Sequence, residues 1–239
     1  MDELIELKDL EAGYGPLHVL FGVTATYAPR LITSIVGPNG SGKSTLLKTI
    51  FGFTKVFAGK VIFDGIDITS RPSHQVARMG MAYLPQTDNV FANLTVKENL
   101  TMATYGMRRE LARDRLEEVM ASFPVLERYW GRRAGTLSGG ERQMLAMAVA
   151  LIRRPKVILF DEPTANLAPK IAKTVLDKIA ELRDEYGITV LLVEQNALRA
   201  LEYGDRAQLL VSGRLVFNGS ARELLESKEL GKLYLGLKS

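Results

Sequence analysis

The sequence predicts an α/β fold in which buried strands alternate with helices and one strand leads into a phosphate-binding loop. Three segments rich in apolar residues have the length and composition of buried strands, at residues 31–36, 157–160 and 188–193. Each is followed by a segment with helical patterning, at residues 44–50, 169–186 and 196–202. This alternation indicates a core of strands and helices, and the loop after the first strand indicates its function.

Residues 37–45 (the phosphate loop) fit the pattern G-x-x-x-x-G-K-[ST]. Glycines let successive backbone N–H groups approach phosphate oxygens without a Cβ in the way. Lys43 can reach the β- and γ-phosphates, and the Ser44 hydroxyl can fill one position around Mg²⁺. The strand before the loop and the helix after it argue against a chance match. The candidate nucleotide contacts are Gly37, Pro38, Asn39, Gly40, Ser41, Gly42, Lys43, Ser44 and Thr45.

Composition and charge exclude several other classes of protein. Of the 239 residues, 46% are hydrophobic and 24% are charged, as in an ordinary globular protein. Cysteine is absent, so neither a disulfide framework nor a thiolate metal site can form. A net charge of +4 is too small to indicate nucleic acid, and we expect no such partner. The longest apolar run, residues 144–152, is too short for a membrane span, and the acidic N-terminus predicts no export.

Residues 4–36 are predicted to form strands joined by turns, and Tyr14 lies between the first two of them. Gly13 and Gly15 flank this tyrosine. An aromatic ring between glycines can lie flat against a planar base, which makes Tyr14 a candidate for stacking on a nucleotide. Taken alone, the pattern favours a turn tyrosine that packs on its neighbours.

Residues 60–86 are predicted to form a strand with an Asp-Gly hairpin turn, a short helix at 72–78 and a core strand at 81–84. The last of these strands leads to Gln86, which follows a proline. A glutamine at a strand end can be ordinary loop chemistry, so Gln86 gains meaning only from the motifs that follow.

Residues 95–150 are predicted to be helical almost throughout, with a core-facing stripe at helical spacing that includes Leu116, Val119 and Phe123. Ser138, Gly139, Gly140 and Glu141 (the signature segment) open an apolar helix. Ser138 and Glu141 have the S-x-x-E spacing of a capping box, which is one interpretation. Two consecutive glycines are not needed for that box, and they can expose N–H groups for a second phosphate contact.

Asp161 and Glu162 follow the buried run at residues 157–160. A strand end beside a phosphate loop is where Mg²⁺ is held, and Asp161 fits that role. Glu162 is placed to orient or deprotonate a water molecule. Beyond it, the sequence predicts a helix, the strand at 188–193, a helix at 196–202, a hairpin around Ser212 and two short terminal helices.

The phosphate loop, Gln86, the signature segment and the Asp161-Glu162 pair occur in one order that resembles the nucleotide-binding subunit of ATP-binding cassette (ABC) transporters. The resemblance covers essentially the whole chain and implies a RecA-like P-loop core with an antiparallel β portion, made of residues 1–86 and 151–239. Residues 87–150 would form a helical subdomain that carries the signature segment. It also implies that Tyr14 stacks on adenine, that Gln86 senses Mg²⁺ and the membrane partner, and that Glu162 is the catalytic carboxylate.

Several segments further resemble the LivF-type ATPases of branched-chain amino acid importers, among them residues 123–128, 133–146, 192–196 and 234–236. Gln195 stands where the general cassette pattern has a switch histidine. Its amide can donate a hydrogen bond to a γ-phosphate but cannot carry a proton at neutral pH. The aspartate usual in the loop after the catalytic glutamate is replaced around Ala168 and Pro169, and LivF-type subunits share both departures. They often carry glutamate at the position of Gln86.

The resemblance implies an ATPase that uses Mg²⁺ and ATP and lies peripherally on the cytoplasmic face of the cell membrane. Its expected partners are membrane permease subunits, a second cassette in a two-fold pair and, indirectly, an extracytoplasmic substrate-binding protein. Two alternatives remain open. The first is a cassette for another cargo, such as other amino acids, amides or an exported lipid. The second is a soluble ABC ATPase of DNA repair or translation.

Overall fold

This computed structural model describes residues 3–227, which contain ten strands and eight α-helices. The strands are β1 (Ile5–Tyr14), β2 (Leu17–Tyr27), β3 (Ile32–Val36), β4 (Lys55–Phe63), β5 (Ile66–Asp67), β6 (Met81–Leu84), β7 (Val157–Asp161), β8 (Thr189–Val193), β9 (Arg206–Val211) and β10 (Arg214–Ser220). The helices are α1 (Lys43–Ile50), α2 (Ser73–Arg78), α3 (Val96–Ala103), α4 (Arg109–Ser122), α5 (Gly139–Leu151), α6 (Pro169–Tyr186), α7 (Ala197–Tyr203) and α8 (Ala221–Glu226).

The larger sheet has the strand order β10-β9-β3-β8-β7-β6 and is parallel except for β10. Its strands β3, β7 and β8 are buried at every position, which explains why each is rich in apolar residues, although β3 also buries Thr33 and Ser34. In parallel strands the carboxyl ends meet at one edge of the sheet. The loops that follow β3, β6, β7 and β8 therefore converge.

The smaller sheet is antiparallel, with the order β2-β1-β4-β5. It packs on α1 and α2 through one hydrophobic cluster, which includes Leu10, Leu46 and Phe63. The predicted α/β fold with an antiparallel portion is confirmed, although β1 and β2 are longer than the sequence indicated.

The region predicted to be helical from residue 95 to 150 is interrupted more often than expected. A turn at Gly106, whose φ is 77°, separates α3 from α4. After α4 the chain forms two short 3₁₀ segments, Pro124–Tyr129 and Ala134–Thr136, because Pro124 cannot continue an α-helix. The stripe on α4 does face the core: Val119 and the adjoining Phe123 are buried.

A second hydrophobic cluster joins α3, α4, α5 and α6 to the other face of the larger sheet, with Leu100, Leu145, Phe160 and Val190 among its members. Helices from the stretch 87–150 thus share a core with strands from both sides of it. The division into residues 1–86 with 151–239 and a subdomain of residues 87–150 stays a prediction.

The C-terminal part follows the sequence expectation as far as the structure describes it. Asn196 caps α7 by accepting a hydrogen bond from the Arg199 N–H at 3.0 Å. Ser212, with φ 48°, lies in the turn of the β9–β10 hairpin. The first predicted terminal helix is α8, whereas the second helix and the segment 234–236 lie outside the described residues. Within residues 3–227, no helix is both long and apolar enough to cross a membrane.

Candidate functional site

An open cavity of about 430 Å³ lies over the phosphate loop at the carboxyl edge of the larger sheet. It is lined by Val19, Asn39, Gly40, Ser41, Gly42, Lys43, Ser44, Thr45, Gln86, Glu162 and Gln195. The last three come from the ends of β6, β7 and β8, so the fold unites residues that are far apart in the sequence. Gly37 and Pro38 belong to the loop but lie outside this lining.

The phosphate loop has a backbone that requires glycine at its first residue, Gly37, and at Gly42, where α1 begins. Gly37 has φ 149°, and a Cβ built on it would lie 2.0 Å from the carbonyl oxygen of Leu210. Gly42 has φ 100° and is the N-cap of α1. The helix therefore begins at Lys43, and its N-terminal N–H groups and its dipole favour an anion above the loop.

The ammonium group of Lys43 is held inside the loop, where its Nζ donates to the carbonyl oxygens of Gly37 and Pro38, each at 2.9 Å. Burial lowers the pKa of Lys43, and the nearby carboxylates of Glu162 and Asp161 oppose that shift. The hydroxyl of Ser41 is buried, and no group among residues 3–227 hydrogen-bonds to it. The Ser41 hydroxyl and the third N–H of the Lys43 ammonium group can thus donate to phosphate oxygens, which fits a nucleotide.

Asp161, at the end of β7, is held by two hydroxyl groups. The Ser44 Oγ donates to its Oδ1 at 2.7 Å, and the Tyr83 hydroxyl donates to its Oδ2 at 2.8 Å. Burial and the charge of Asp161 raise the pKa of Tyr83, so the phenol remains a donor at neutral pH. A hydroxyl and one carboxylate beside a phosphate site form the donor set that Mg²⁺ takes in proteins.

No cluster of three or more histidine, aspartate or glutamate side chains in residues 3–227 could hold a metal by itself. This is compatible with Mg²⁺, which usually relies on one or two protein ligands together with substrate phosphates. Gln86 also lines the cavity, and an amide side chain carries an oxygen of the kind that Mg²⁺ accepts as a ligand. Ser44 and Gln86 thus line one cavity, Asp161 accepts a hydrogen bond from Ser44, and the role of all three as metal ligands stays a prediction.

Glu162 turns the chain out of β7 with φ 52°, a left-handed conformation that is uncommon for a residue with a side chain. Its N–H donates to the carbonyl oxygen of Val193 at 2.9 Å. Its carboxylate lines the cavity and accepts a hydrogen bond at Oε2 from Nε2 of Gln195, at 2.6 Å. A carboxylate fixed in this way, beside the phosphate loop, can accept a proton from a water molecule.

Two residues of this edge were missed by the sequence analysis. Tyr83, on the neighbouring strand β6, donates a hydrogen bond to Asp161. The sign of it in the sequence was a hydroxyl group within a core strand that ends two residues before Gln86. Glu194, which is 3% exposed, follows the apolar strand β8 just as Asp161 ends β7. A carboxylate directly after a buried strand was the signal that could have singled it out.

The signature segment lies outside the cavity over the phosphate loop. Its capping box is present: the Ser138 N–H donates to Oε2 of Glu141 at 2.7 Å, and the Glu141 N–H donates to the Ser138 Oγ at 3.4 Å. A hydrogen bond from Tyr129 lowers the pKa of Glu141, so its carboxylate is charged. Tyr14, 43% exposed at the end of β1, also lies outside the lining.

The two glycines of the signature segment have a packing role within the chain. A Cβ on Gly139 would lie 2.6 Å from Cδ2 of Leu167, and one on Gly140 would lie 2.4 Å from Cγ2 of Ile171. The start of α5 therefore approaches the start of α6 more closely than any residue with a side chain would permit without a shift. This close approach adds a third explanation for Gly139 and Gly140, besides the capping box and a phosphate contact.

Comparison with known proteins identifies relatives over nearly the whole chain. Residues 20–165 match the family model described as ABC transporter. A probable branched-chain amino acid transport ATP-binding protein, LivF of Archaeoglobus fulgidus, is 56% identical over 98% of this chain and 99% of its own length. The high-affinity branched-chain amino acid transport ATP-binding protein BraG of Pseudomonas aeruginosa is 39% identical over 98% of this chain and 100% of its own length.

Solved structures of ATP-binding cassettes have the same fold. A nucleotide-free cassette from an ABC transporter superimposes with a TM-score of 0.86 at 26% identity and covers 100% of both chains. A dimeric cassette bound to ADP and Pi gives a TM-score of 0.77 at 28% identity, over 91% of this chain and 99% of that chain. These similarities confirm the nucleotide-binding α/β fold that the phosphate loop predicted.

Proposed function

The chain belongs to the ABC transporter family of ATP-binding cassettes, and on that premise we propose that it powers an importer of branched-chain amino acids. As a member of that family it binds and hydrolyses ATP. The cargo and the direction of transport are the proposed part. They are supported by the similarity to LivF and BraG along nearly the full length of each chain.

The observation that carries the proposed chemistry is the meeting of Lys43, Gln86, Glu162 and Gln195 at one cavity over the phosphate loop. Lys43 would neutralise charge on the phosphate chain, and Glu162 would accept the proton of the attacking water. Gln195 would orient Glu162 and donate to the γ-phosphate. Catalysis of this kind is mostly positioning and charge stabilisation.

Ser44, Asp161 and Gln86 would hold Mg²⁺, which supplies further neutralisation of phosphate charge. The pair of hydroxyls on Asp161 supports this assignment, because Tyr83 satisfies one carboxylate oxygen and leaves the other beside Ser44. Both oxygens therefore keep a fixed orientation before any nucleotide binds.

The signature segment supports a two-cassette arrangement, because it lies outside its own chain's phosphate cavity. We propose that each ATP lies between the phosphate loop of one cassette and Ser138, Gly139 and Gly140 of the other, in a two-fold or pseudo-two-fold pair. Glu141 would hold that segment through its capping box, and Tyr14 would stack on the adenine. The second cassette would be a sister subunit or a copy of this chain.

The transport proposal further requires permease subunits in the membrane and an extracytoplasmic binding protein that delivers the cargo. The cassette would then be peripheral, on the cytoplasmic face. A cassette for another cargo would use the same chemistry, so only the partners distinguish it. A soluble ABC ATPase of DNA repair is disfavoured, because the short spacing between Lys43 and Ser138 leaves no room for a long coiled-coil insertion.

The test is to isolate the protein from its own membranes in mild detergent and to identify what co-purifies. Two hydrophobic permeases and a second cassette are expected, and the associated binding protein should bind leucine, isoleucine or valine. Binding of an unrelated solute would overturn the cargo. A partner set that is only soluble or bound to nucleic acid would overturn the transport role and leave ATP hydrolysis intact.

A further inference from the structure

Glu194 is a buried carboxylate that the chemistry described so far does not use. It is 3% exposed, and it directly follows β8 and precedes Gln195. Its Oε1 accepts a hydrogen bond from the backbone N–H of Thr164 at 3.0 Å, and Thr164 is 5% exposed. Burying a carboxylate costs free energy unless it is hydrogen-bonded. The presence of Glu194 at this buried position therefore calls for an explanation.

Thr164 lies in the middle of the loop that joins β7 to α6 (residues 162–168). The residues two positions before and two positions after it have a left-handed backbone: Glu162 with φ 52° and Asn166 with φ 61°. Inside the loop the Ala165 N–H donates to the Glu162 carbonyl, and the Leu167 N–H donates to the Thr164 carbonyl, both at 3.2 Å. Left-handed backbone is unfavourable for residues with a Cβ, so contacts from outside must hold this loop.

We infer that Glu194 is a positioning residue for ATP hydrolysis, which anchors the backbone of the β7–α6 loop at Thr164 so that Glu162 faces the phosphate cavity. Gln195, the next residue, holds the Glu162 side chain itself. One dipeptide at the end of β8 thus fixes both the backbone and the carboxylate of the catalytic loop. The inference rests on hydrolysis at this site and not on the identity of the cargo.

Glu194 is not an alternative base. Glu194 is not among the described residues that line the phosphate cavity. Its Oε1 already accepts a hydrogen bond from the Thr164 N–H. The charged groups that act on its pKa are Glu162, which raises it, and Arg199, which lowers it. Its effect on hydrolysis must therefore pass through the position of the loop.

The test compares Glu194→Ala with Glu194→Gln in the purified cassette and in the assembled transporter. Glutamine keeps a carbonyl oxygen for the Thr164 N–H, whereas alanine removes the acceptor. In Glu194→Ala we expect kcat to fall about 10- to 100-fold with KM for ATP within about twofold, since a displacement of ~1 Å can cost about 100-fold. In Glu194→Gln, kcat should stay within about threefold of the wild type, because the anchoring hydrogen bond survives.

The control is Glu202→Ala, which removes an exposed carboxylate of α7 and should change neither kcat nor KM.

Hydrogen exchange of the amides in residues 162–167 supplies a second readout that does not depend on turnover. Exchange should be faster in Glu194→Ala and unchanged in Glu194→Gln. If the alanine variant does not fold, Glu194→Asp, which keeps the charge but shortens the reach, should show the same loss of kcat and of protection. Wild-type kcat and protection in the alanine or aspartate variant would overturn the inference, as would an equal loss in Glu194→Gln. A wild-type protein that does not hydrolyse ATP would contradict the proposed function instead, and the exchange rates would still decide the anchor.

Discussion

The side-chain amide of Gln195 donates a hydrogen bond to Oε2 of Glu162 across 2.6 Å, between the ends of the adjacent strands β8 and β7. An amide donor is neutral at every pH of interest, so it orients the carboxylate without exchanging a proton with it. A histidine in that place would change its charge near pH ~6.5. In this chain the orientation of the Glu162 carboxylate is therefore independent of an imidazole.

Gln195→Ala should lower kcat about 10- to 100-fold, because Glu162 loses the donor that orients it and general-base catalysis depends on position. Binding of ATP should persist, since Lys43 and the loop N–H groups remain in place. Release of phosphate at saturating ATP measures the effect. Unchanged kinetics in this variant would show that the amide neither orients Glu162 nor contacts the γ-phosphate.

Tyr83→Phe should weaken Mg²⁺ binding about tenfold, because removal of a partner that orients a metal ligand usually costs 10- to 100-fold in affinity. The variant leaves Oδ2 of Asp161 without the Tyr83 donor and keeps the ring in its contacts with Phe51 and Phe53. The affinity for Mg²⁺ is measured by adding Mg²⁺ at a fixed concentration of ATP, with nucleotide binding as the readout.

The matched control is Tyr203→Phe. The wild-type Tyr203 hydroxyl donates to Asp177 at 2.5 Å, and neither residue lines the phosphate cavity. It should leave the affinity for Mg²⁺ unchanged. If Tyr83→Phe binds Mg²⁺ as tightly as this control does, the phenol has no part in orienting Asp161.

Gly139→Ala should destabilise the fold by no more than about 1 kcal/mol, because the added methyl group meets the end of the flexible, half-buried Leu167 side chain, which can move aside. The new Cβ would meet Cδ2 of Leu167 at 2.6 Å. Leu167→Ala in the same chain removes that atom, so the double variant should recover most of the loss. Denaturant unfolding of all four proteins forms the cycle. Additive losses would show that the two side chains do not compete for the same space.

Glu194→Gln should be more stable than the wild type at neutral pH, and its advantage should shrink as the pH falls. Burial raises the pKa of Glu194 above 4.5, and the Glu162 carboxylate adds to the shift, whereas hydrogen bonds from Thr164 and the charge of Arg199 oppose it. The folded state therefore holds this proton more tightly than the unfolded state does. Wild-type stability is lost as the pH rises from about 4.5 through the raised pKa, and glutamine lacks that loss. Unfolding free energies measured from pH ~4 to ~8 test this, and a difference independent of pH would contradict it.

Much of the fold followed from the sequence because its central strands are buried on both faces. The strands β3, β7 and β8 are rich in apolar residues. The glycines of the phosphate loop indicate where the backbone has a positive φ, and Gly37, Gly40 and Gly42 do have one. Asp161 and Glu162 could be located because they directly follow such a run. Patterns of this kind are local, so one chain suffices to recognise them.

The contacts that complete the site could not be predicted, since they depend on register between strands. Tyr83 reaches Asp161 because β6 pairs with β7 in parallel, with Tyr83 opposite Leu159. The hydrogen bond from Thr164 to Glu194 depends in the same way on the neighbouring ends of β7 and β8. The close approach of Gly139 to Leu167 is a packing relation between the start of α5 and the β7–α6 loop, which neither segment reveals alone.

The most direct test of the account is the rate of ATP hydrolysis by Glu162→Gln beside the wild type and the control Glu202→Gln. Loss of a general base costs about 10²- to 10⁴-fold, so the variant should bind ATP, lose at least ~100-fold in turnover and accumulate as a nucleotide-bound pair of cassettes. The control should hydrolyse ATP as the wild type does. Hydrolysis by Glu162→Gln at the wild-type rate would contradict the role of Glu162 and with it the arrangement proposed for this site.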